Sequence, residues 1–144
     1  MEEKPVESSE EFQNLIQHWQ KLENKAIGSA DSIIRKTSNP FFRVIMESIK
    51  HDLEKHKLIQ QMIIDSIPKG TIGINLDELN EMSDMLNSHI EAEAESLRLA
   101  HAALAKSKLF FTRFLLSYLI ADEAKHHDLV DLLNDLKGAT RPTS

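Results

Sequence analysis

The sequence DLEKH at positions 52–56 returns in altered form as DEAKH at positions 122–126, an offset of 70 residues. Without any gap, the same offset lays Glu23 over Glu93. Self-similarity at one fixed spacing indicates that a chain is built from repeated structural units. The two halves of this chain are therefore predicted to share one local structure.

Hydrophobic residues recur at helical spacing along most of each half, which predicts four long helices. The predicted helices span about 9–37, 40–66, 77–105 and 109–136. The longest connection is predicted at 67–75, where one Pro and two Gly residues interrupt the pattern. The termini, 1–8 and 138–144, are predicted to be disordered.

The lengths of the connections predict how the helices are arranged. The short links after the first and third helices make two antiparallel helical hairpins, and the long central connection lets the second pair cross over to dock on the first. The predicted fold is therefore all-α, a ferritin-like four-helix bundle with one crossover connection. It is expected to form a single domain over 9–137.

Composition excludes several classes of function. The chain of 144 residues has no Cys, so disulfides, thiolate ligands and a rubredoxin-type iron centre are excluded. A net charge of -6 argues against a nucleic-acid partner. The most apolar run, 109–121, is too short to span a bilayer, and the acidic start of the chain does not match a signal peptide. The expectation is a cytoplasmic protein with no membrane partner.

Ionisable side chains interrupt the apolar stripes of all four helices. A buried carboxylate is costly unless it is paired, protonated or bound to a cation. Because these groups lie near the middle of their helices, they are predicted to converge on one internal point that holds a metal ion. The predicted ligands are Glu23, His56, Glu93, Glu123 and His126.

Glu123 and His126 are the best-supported members of this set, because an i, i+3 pair on a helix can contact the same ion. Carboxylate oxygens and imidazole nitrogens suit iron, manganese or zinc, and ligand type does not choose among them. Alternatives stay open for every member. They are a solvated surface pair, a buried glutamate hydrogen-bonded to a neighbouring helix, and a core histidine satisfied by hydrogen bonds.

On Glu23, His56, Glu93 and the block 122–126, the chain resembles the ferritin-like superfamily, specifically its rubrerythrin-like branch. The resemblance covers about residues 10–137. It implies a di-iron carboxylate site, with manganese or zinc as the alternative metals. The two single glutamates would then be terminal ligands, and each histidine would cap one metal.

The resemblance also assigns roles around the site. Glu123 would bridge the two metals. Asp52 and Asp122 would each accept a hydrogen bond from a ligand histidine and so fix its tautomer, and His89 would support the site from one turn before Glu93. The alternative for both aspartates is a salt bridge on the helix surface.

One position departs from the family pattern. Leu53 aligns with Glu123, so one bridging carboxylate is absent. The neighbouring Asp52 is a poor substitute, because it lies about 100° away around the helix. Two outcomes are predicted as alternatives: a weakened or mononuclear site centred on Glu123 and His126, or a site that has lost its metal.

The function expected from the resemblance is that of a metal-binding oxidoreductase that reduces peroxide or oxygen or oxidises ferrous iron. Because the chain has no Cys, electrons would come from a separate donor protein. A homodimer is a further expectation, since dimers are common among such bundles. The alternative function is a degenerate, metal-free or mononuclear bundle with a structural or partner-binding role.

Overall fold

The computed structural model describes residues 10–66 and 73–139, with side chains up to position 136. The four helices in these ranges are α1 (Glu10–Lys36), α2 (Pro40–Ser66), α3 (Leu76–Lys106) and α4 (Phe110–Ala139). No strand occurs within the described ranges, so the all-α prediction is confirmed there. None of these helices is both long and apolar enough to cross a membrane.

The predicted helix bounds agree with the structure to within a few residues. The largest difference is at the end of α4, which continues to Ala139 instead of ending near position 136. The termini predicted to be disordered lie outside the described residues except for positions 138 and 139, which continue α4. Most of the central connection, 67–72, also lies outside them.

The helices form two compact units, divided between positions 72 and 73. In the first hairpin α1 packs against α2, and in the second hairpin α3 packs against α4. These are the two hairpins that the sequence predicts. The ferritin-like arrangement with a crossover stays a prediction.

The helix ends repeat at the offset found in the sequence. The first helix of each hairpin ends at Lys36 and Lys106, and the second begins at Pro40 and Phe110. Both pairs of positions are 70 residues apart, so the repeat extends from a few matched residues to the helix boundaries at the two turns.

In the first hairpin, Asn39 caps α2 as the sequence predicts. Its Oδ1 accepts hydrogen bonds from the backbone N–H groups of Phe41 (2.9 Å) and Phe42 (3.2 Å). An N-cap side chain of this kind satisfies donors that have no partner inside the helix. The guanidinium of Arg43 also donates to the carbonyl of Thr37 across the turn, at 3.2 Å.

In the second hairpin, Leu109 occupies the position of the asparagine and has no side-chain acceptor to offer. There the matching arginine, Arg113, makes more hydrogen bonds across the turn. Arg113 Nη1 donates to the carbonyls of Leu104 (2.8 Å), in the last turn of α3, and of Ser107 (2.9 Å), just after its end. A repeated arginine thus fastens both turns, and it makes more contacts where the cap is missing.

The almost fully buried side chains of the described residues are divided equally between apolar and polar types. The apolar ones are Ile16, Ala30 and Leu79, and the polar ones are Glu23, Gln60 and Glu93. Buried carboxyl and amide groups are rare unless something satisfies them. Their positions therefore mark the candidate site in each hairpin.

Candidate metal centre

In the second hairpin, Glu93 of α3 meets Glu123 and His126 of α4. One ligand atom from each of the three side chains lies within 4.8 Å of the others. Glu93 is buried, with 7% of its surface exposed, and the other two are half-buried. The i, i+3 spacing on α4 thus works as predicted, because it turns both side chains toward one carboxylate on the facing helix.

The two carboxyl groups of this cluster shift each other's pKa in opposite directions. A hydrogen bond from Glu123 lowers the pKa of Glu93, while the same bond raises the pKa of Glu123, with burial raising it further. Two like charges at close range disfavour ionisation of both carboxyl groups, so Glu123 takes up a proton before Glu93 does as the pH falls. That shared proton can be donated to Glu93 and belongs to the pair.

His89 contacts the same cluster from one turn earlier on α3. Its Nε2 lies 2.8 Å from Oε1 of Glu93, so Nε2 carries the hydrogen that the carboxylate accepts. This bond and the charge of the imidazole both contribute to the lowered pKa of Glu93. His89 therefore lies where the sequence predicts it, beside one of the proposed ligands and outside the cluster of three.

A buried oxygen in the cluster is suited to a cation. With both carboxylates charged, Oε2 of Glu93 has no hydrogen-bond partner among the described residues. Leaving such an atom without a partner costs about 1–3 kcal/mol. A divalent metal ion bound at this oxygen would relieve that cost. The residues present therefore fit a metal with oxygen and nitrogen ligands.

The first hairpin holds the matching but smaller pair. Oε1 of Glu23 lies 3.5 Å from Nδ1 of His56, longer than a good hydrogen bond. The Glu23 side chain is 9% exposed, and its Oε2 is buried without a partner among the described residues. Leu53 takes the place that Glu123 has in the second hairpin, so no second carboxylate is available there.

The two aspartates before the ligand pairs form salt bridges on their own helices. Asp52 lies 3.0 Å from Nζ of Lys55, and Asp122 lies 3.5 Å from Nζ of Lys125. These are the i, i+3 surface contacts weighed as the alternative. The role of holding a ligand histidine stays a prediction for both, as does the convergence of all five predicted ligands on one point.

Gln60 is a buried polar residue that the sequence pattern does not single out. This residue of α2 is only 2% exposed, and neither its Nε2 nor its Oε1 has a partner among the described residues. The repeat does not indicate a role for Gln60, because the matching position in α4 is Val130. Its spacing was the available signal, since Gln60 follows His56 at i+4 and so lies on the same face of the helix.

Comparisons of the chain with models of protein families, with curated proteins and with solved structures found no match. A metal site is therefore inferred from the groups that each hairpin brings together.

Proposed function

We propose that this protein binds a divalent transition-metal ion, with iron as the first candidate, through Glu93, Glu123 and His126. The observation that supports it is the meeting of three ligand atoms within 4.8 Å around a buried carboxylate. Two carboxylates and a neutral imidazole form a set of charge -2, which a divalent ion would neutralise. Iron(II), manganese(II) and zinc(II) all accept such oxygen and nitrogen ligands.

Each residue has a distinct part in this proposal. His89 holds Glu93 in place through the 2.8 Å hydrogen bond and keeps that carboxylate ready as an ionised ligand. Glu123 exchanges its proton for the ion, so binding releases a proton to water. His126 contributes a nitrogen ligand and is half-buried, which leaves one side of the site open to water or a small substrate.

The activity that we propose for the iron form is rubrerythrin-like: reduction of peroxide or oxygen, or oxidation of ferrous iron. Bound iron would supply the redox and Lewis-acid chemistry. The ferritin-like arrangement of the four helices belongs to the same proposal. Because the chain has no Cys, its electrons would come from a separate donor.

A second candidate is a metal-free bundle with a structural role. The shared proton favours it, because protonated Glu123 can satisfy Glu93 without any ion. Leu53 favours it as well, since it removes one carboxylate from the first hairpin. The two candidates differ in metal content, which can be measured directly.

The deciding experiment is elemental analysis of the full chain after anaerobic loading with ferrous iron and removal of free metal. We expect the double substitution of Glu123→Ala and His126→Ala to remove one metal equivalent. On exposure to air, the loaded wild type should gain ultraviolet absorption from ferric carboxylate, and the variant should gain less.

The matched control changes the adjacent pair, His127→Ala with Asp128→Ala. These residues have the same chemistry and lie next to the site, but they contact each other, with Nδ1 of His127 3.6 Å from Oδ1 of Asp128. The control should keep the full metal content. A wild type without bound iron would favour the metal-free bundle, and a Glu123/His126 variant that holds as much iron as the control would refute the site at these residues.

A further inference from the structure

The first hairpin contains three buried polar atoms without hydrogen-bond partners among the described residues. They are Oε2 of Glu23 and both side-chain atoms of Gln60, which is 2% exposed. Buried polar groups are satisfied in the large majority of cases, and exceptions call for a water, an ion or a functional role. Two such side chains in one helical hairpin indicate a bound group between them.

The geometry of α2 directs Gln60 toward the pair formed by Glu23 and His56. Gln60 lies one turn after His56 on the same face, and helical side chains lean toward the N-terminus of their helix. The amide is therefore directed back toward the imidazole, whose Nδ1 lies 3.5 Å from Oε1 of Glu23. The carboxylate, the imidazole and the amide are thus directed toward one region between α1 and α2.

We propose that the first hairpin has a cation site of its own, formed by Glu23, His56 and Gln60. The ligands would be a carboxylate oxygen, an imidazole nitrogen and the amide oxygen, a set that takes a divalent ion such as manganese(II) or iron(II). A cation is favoured over a water because a buried carboxylate such as that of Glu23 is stabilised by a bound positive charge, which a neutral water cannot supply. The amide Nε2 can then donate to a water on the same ion.

All three ligands of this site come from the first hairpin. It has one carboxylate where the other has two, so its ligand charge is -1 instead of -2. Affinity for hard divalent ions depends on the number of charged ligands. The first hairpin should therefore bind manganese(II) more weakly than the second, in a separate and later step of a titration.

The test is a manganese(II) titration of the full chain, followed by the electron paramagnetic resonance signal of free manganese. The Glu123→Ala, His126→Ala background removes the second-hairpin ligands and leaves one weaker equivalent. Adding Gln60→Leu should weaken that equivalent by about tenfold or more, since a ligand to a charged group is lost. Gln61→Leu is the matched control, because Gln61 is exposed and bonded to Gln20 (3.0 Å) and Asp65 (2.8 Å).

Two results would overturn the inference. One is the absence of any saturable equivalent in the Glu123→Ala, His126→Ala protein. The other is equal affinity in the Gln60→Leu and Gln61→Leu variants. If Gln60→Leu does not fold, Gln60→Glu decides instead: an added carboxylate should tighten manganese binding, and an unchanged affinity would count against the site.

The same titration separates this inference from the proposed function. A chain with His56→Ala and Gln60→Leu should keep the tighter equivalent of the second hairpin. Loss of the weak step alone would support the site at Gln60, and its persistence in that variant would rule the site out. A missing tight step would count against the second-hairpin site only.

Discussion

The two hairpins have the same framework and differ in the chemistry inside it. Their turns begin and end 70 residues apart, and a matched arginine fastens each turn. In the second hairpin, Glu123 adds a carboxylate beside Glu93. In the first, that position is Leu53.

Two turns further along the helices, the first hairpin has the polar residue and the second has the apolar one. The second hairpin has Val130, and the first has the buried amide of Gln60. Residues seven apart lie on nearly the same face of a helix. The repeat therefore determines the helices and turns, while single positions on one face decide how many carboxylates each hairpin has.

The largest effect should come from making the first hairpin resemble the second. Leu53→Glu supplies the missing carboxylate beside Glu23. We expect it to strengthen metal binding in the first hairpin by about 10- to 100-fold, because the ligand charge rises from -1 to -2. At a limiting metal concentration, the metal content should move toward two equivalents.

The control for this change is Leu53→Gln, which has a similar shape and no charge. It should leave the metal content near that of the wild type. If Leu53→Glu also left the content unchanged, the alignment of position 53 with position 123 would be wrong as a description of the site.

The second effect is a difference in pH dependence. Metal binding at the second hairpin competes with protonation of Glu123, whose pKa is raised by the hydrogen bond with Glu93 and by burial. Below that raised pKa, affinity should increase with pH by up to about tenfold per pH unit, and above it the proton no longer competes. Calorimetry in buffers with different ionisation enthalpies would count the protons released.

The first hairpin is the comparison for this experiment, because it has an imidazole but a single carboxylate. Measured in the Glu123→Ala, His126→Ala background, its affinity should depend less steeply on pH. Equal slopes at the two hairpins would mean that the shared carboxyl proton does not control binding.

A third, smaller effect concerns stability without metal. At a pH above the raised pKa of Glu123, the charged form faces charged Glu93, which disfavours the folded state. Glu123→Gln replaces the lost proton with a permanent N–H donor. We expect the metal-free protein to gain about 1 kcal/mol in free energy of unfolding near neutral pH, measured by urea denaturation.

This effect is lost in acid. The proton on Glu123 stabilises the folded state below its raised pKa, so the advantage of Glu123→Gln should shrink as the pH falls through that pKa. A variant that is less stable than the wild type at neutral pH would contradict the shared proton.

The smallest effects concern the turns. Arg113 bonds to two carbonyls in a turn without an asparagine cap, whereas Arg43 bonds to one beside Asn39. Arg113→Met should therefore cost about 1 kcal/mol, and Arg43→Met about half as much. Thermal denaturation of the two variants would compare them, and a larger loss for Arg43→Met would reverse this ranking.

Much of the fold could be predicted from the sequence. Helical spacing of apolar residues located all four helices, and Asn39 with Pro40 marked the start of α2. Those signals are local, and local hydrogen bonds decide helix ends. Glu93, Glu123 and His126 could also be selected from the sequence, because polar side chains on apolar stripes must find partners.

What could not be predicted depends on distance between helices. The shared proton requires Glu93 and Glu123 to be in contact, which spacing alone does not establish. For Asp52 and Asp122, a lysine three residues later was as compatible with the sequence as a ligand histidine was. Gln60 was missed because its role depends on burial, and its match in the repeat is a valine.

The most direct test of the central claim is anomalous diffraction from crystals of the full chain soaked in manganese(II). We expect a strong anomalous peak at coordinating distance, about 2.0–2.3 Å, from oxygens of Glu93 and Glu123 and a ring nitrogen of His126. Density that shows the two carboxyl groups still hydrogen-bonded to each other, with no peak between them at saturating manganese, would contradict it.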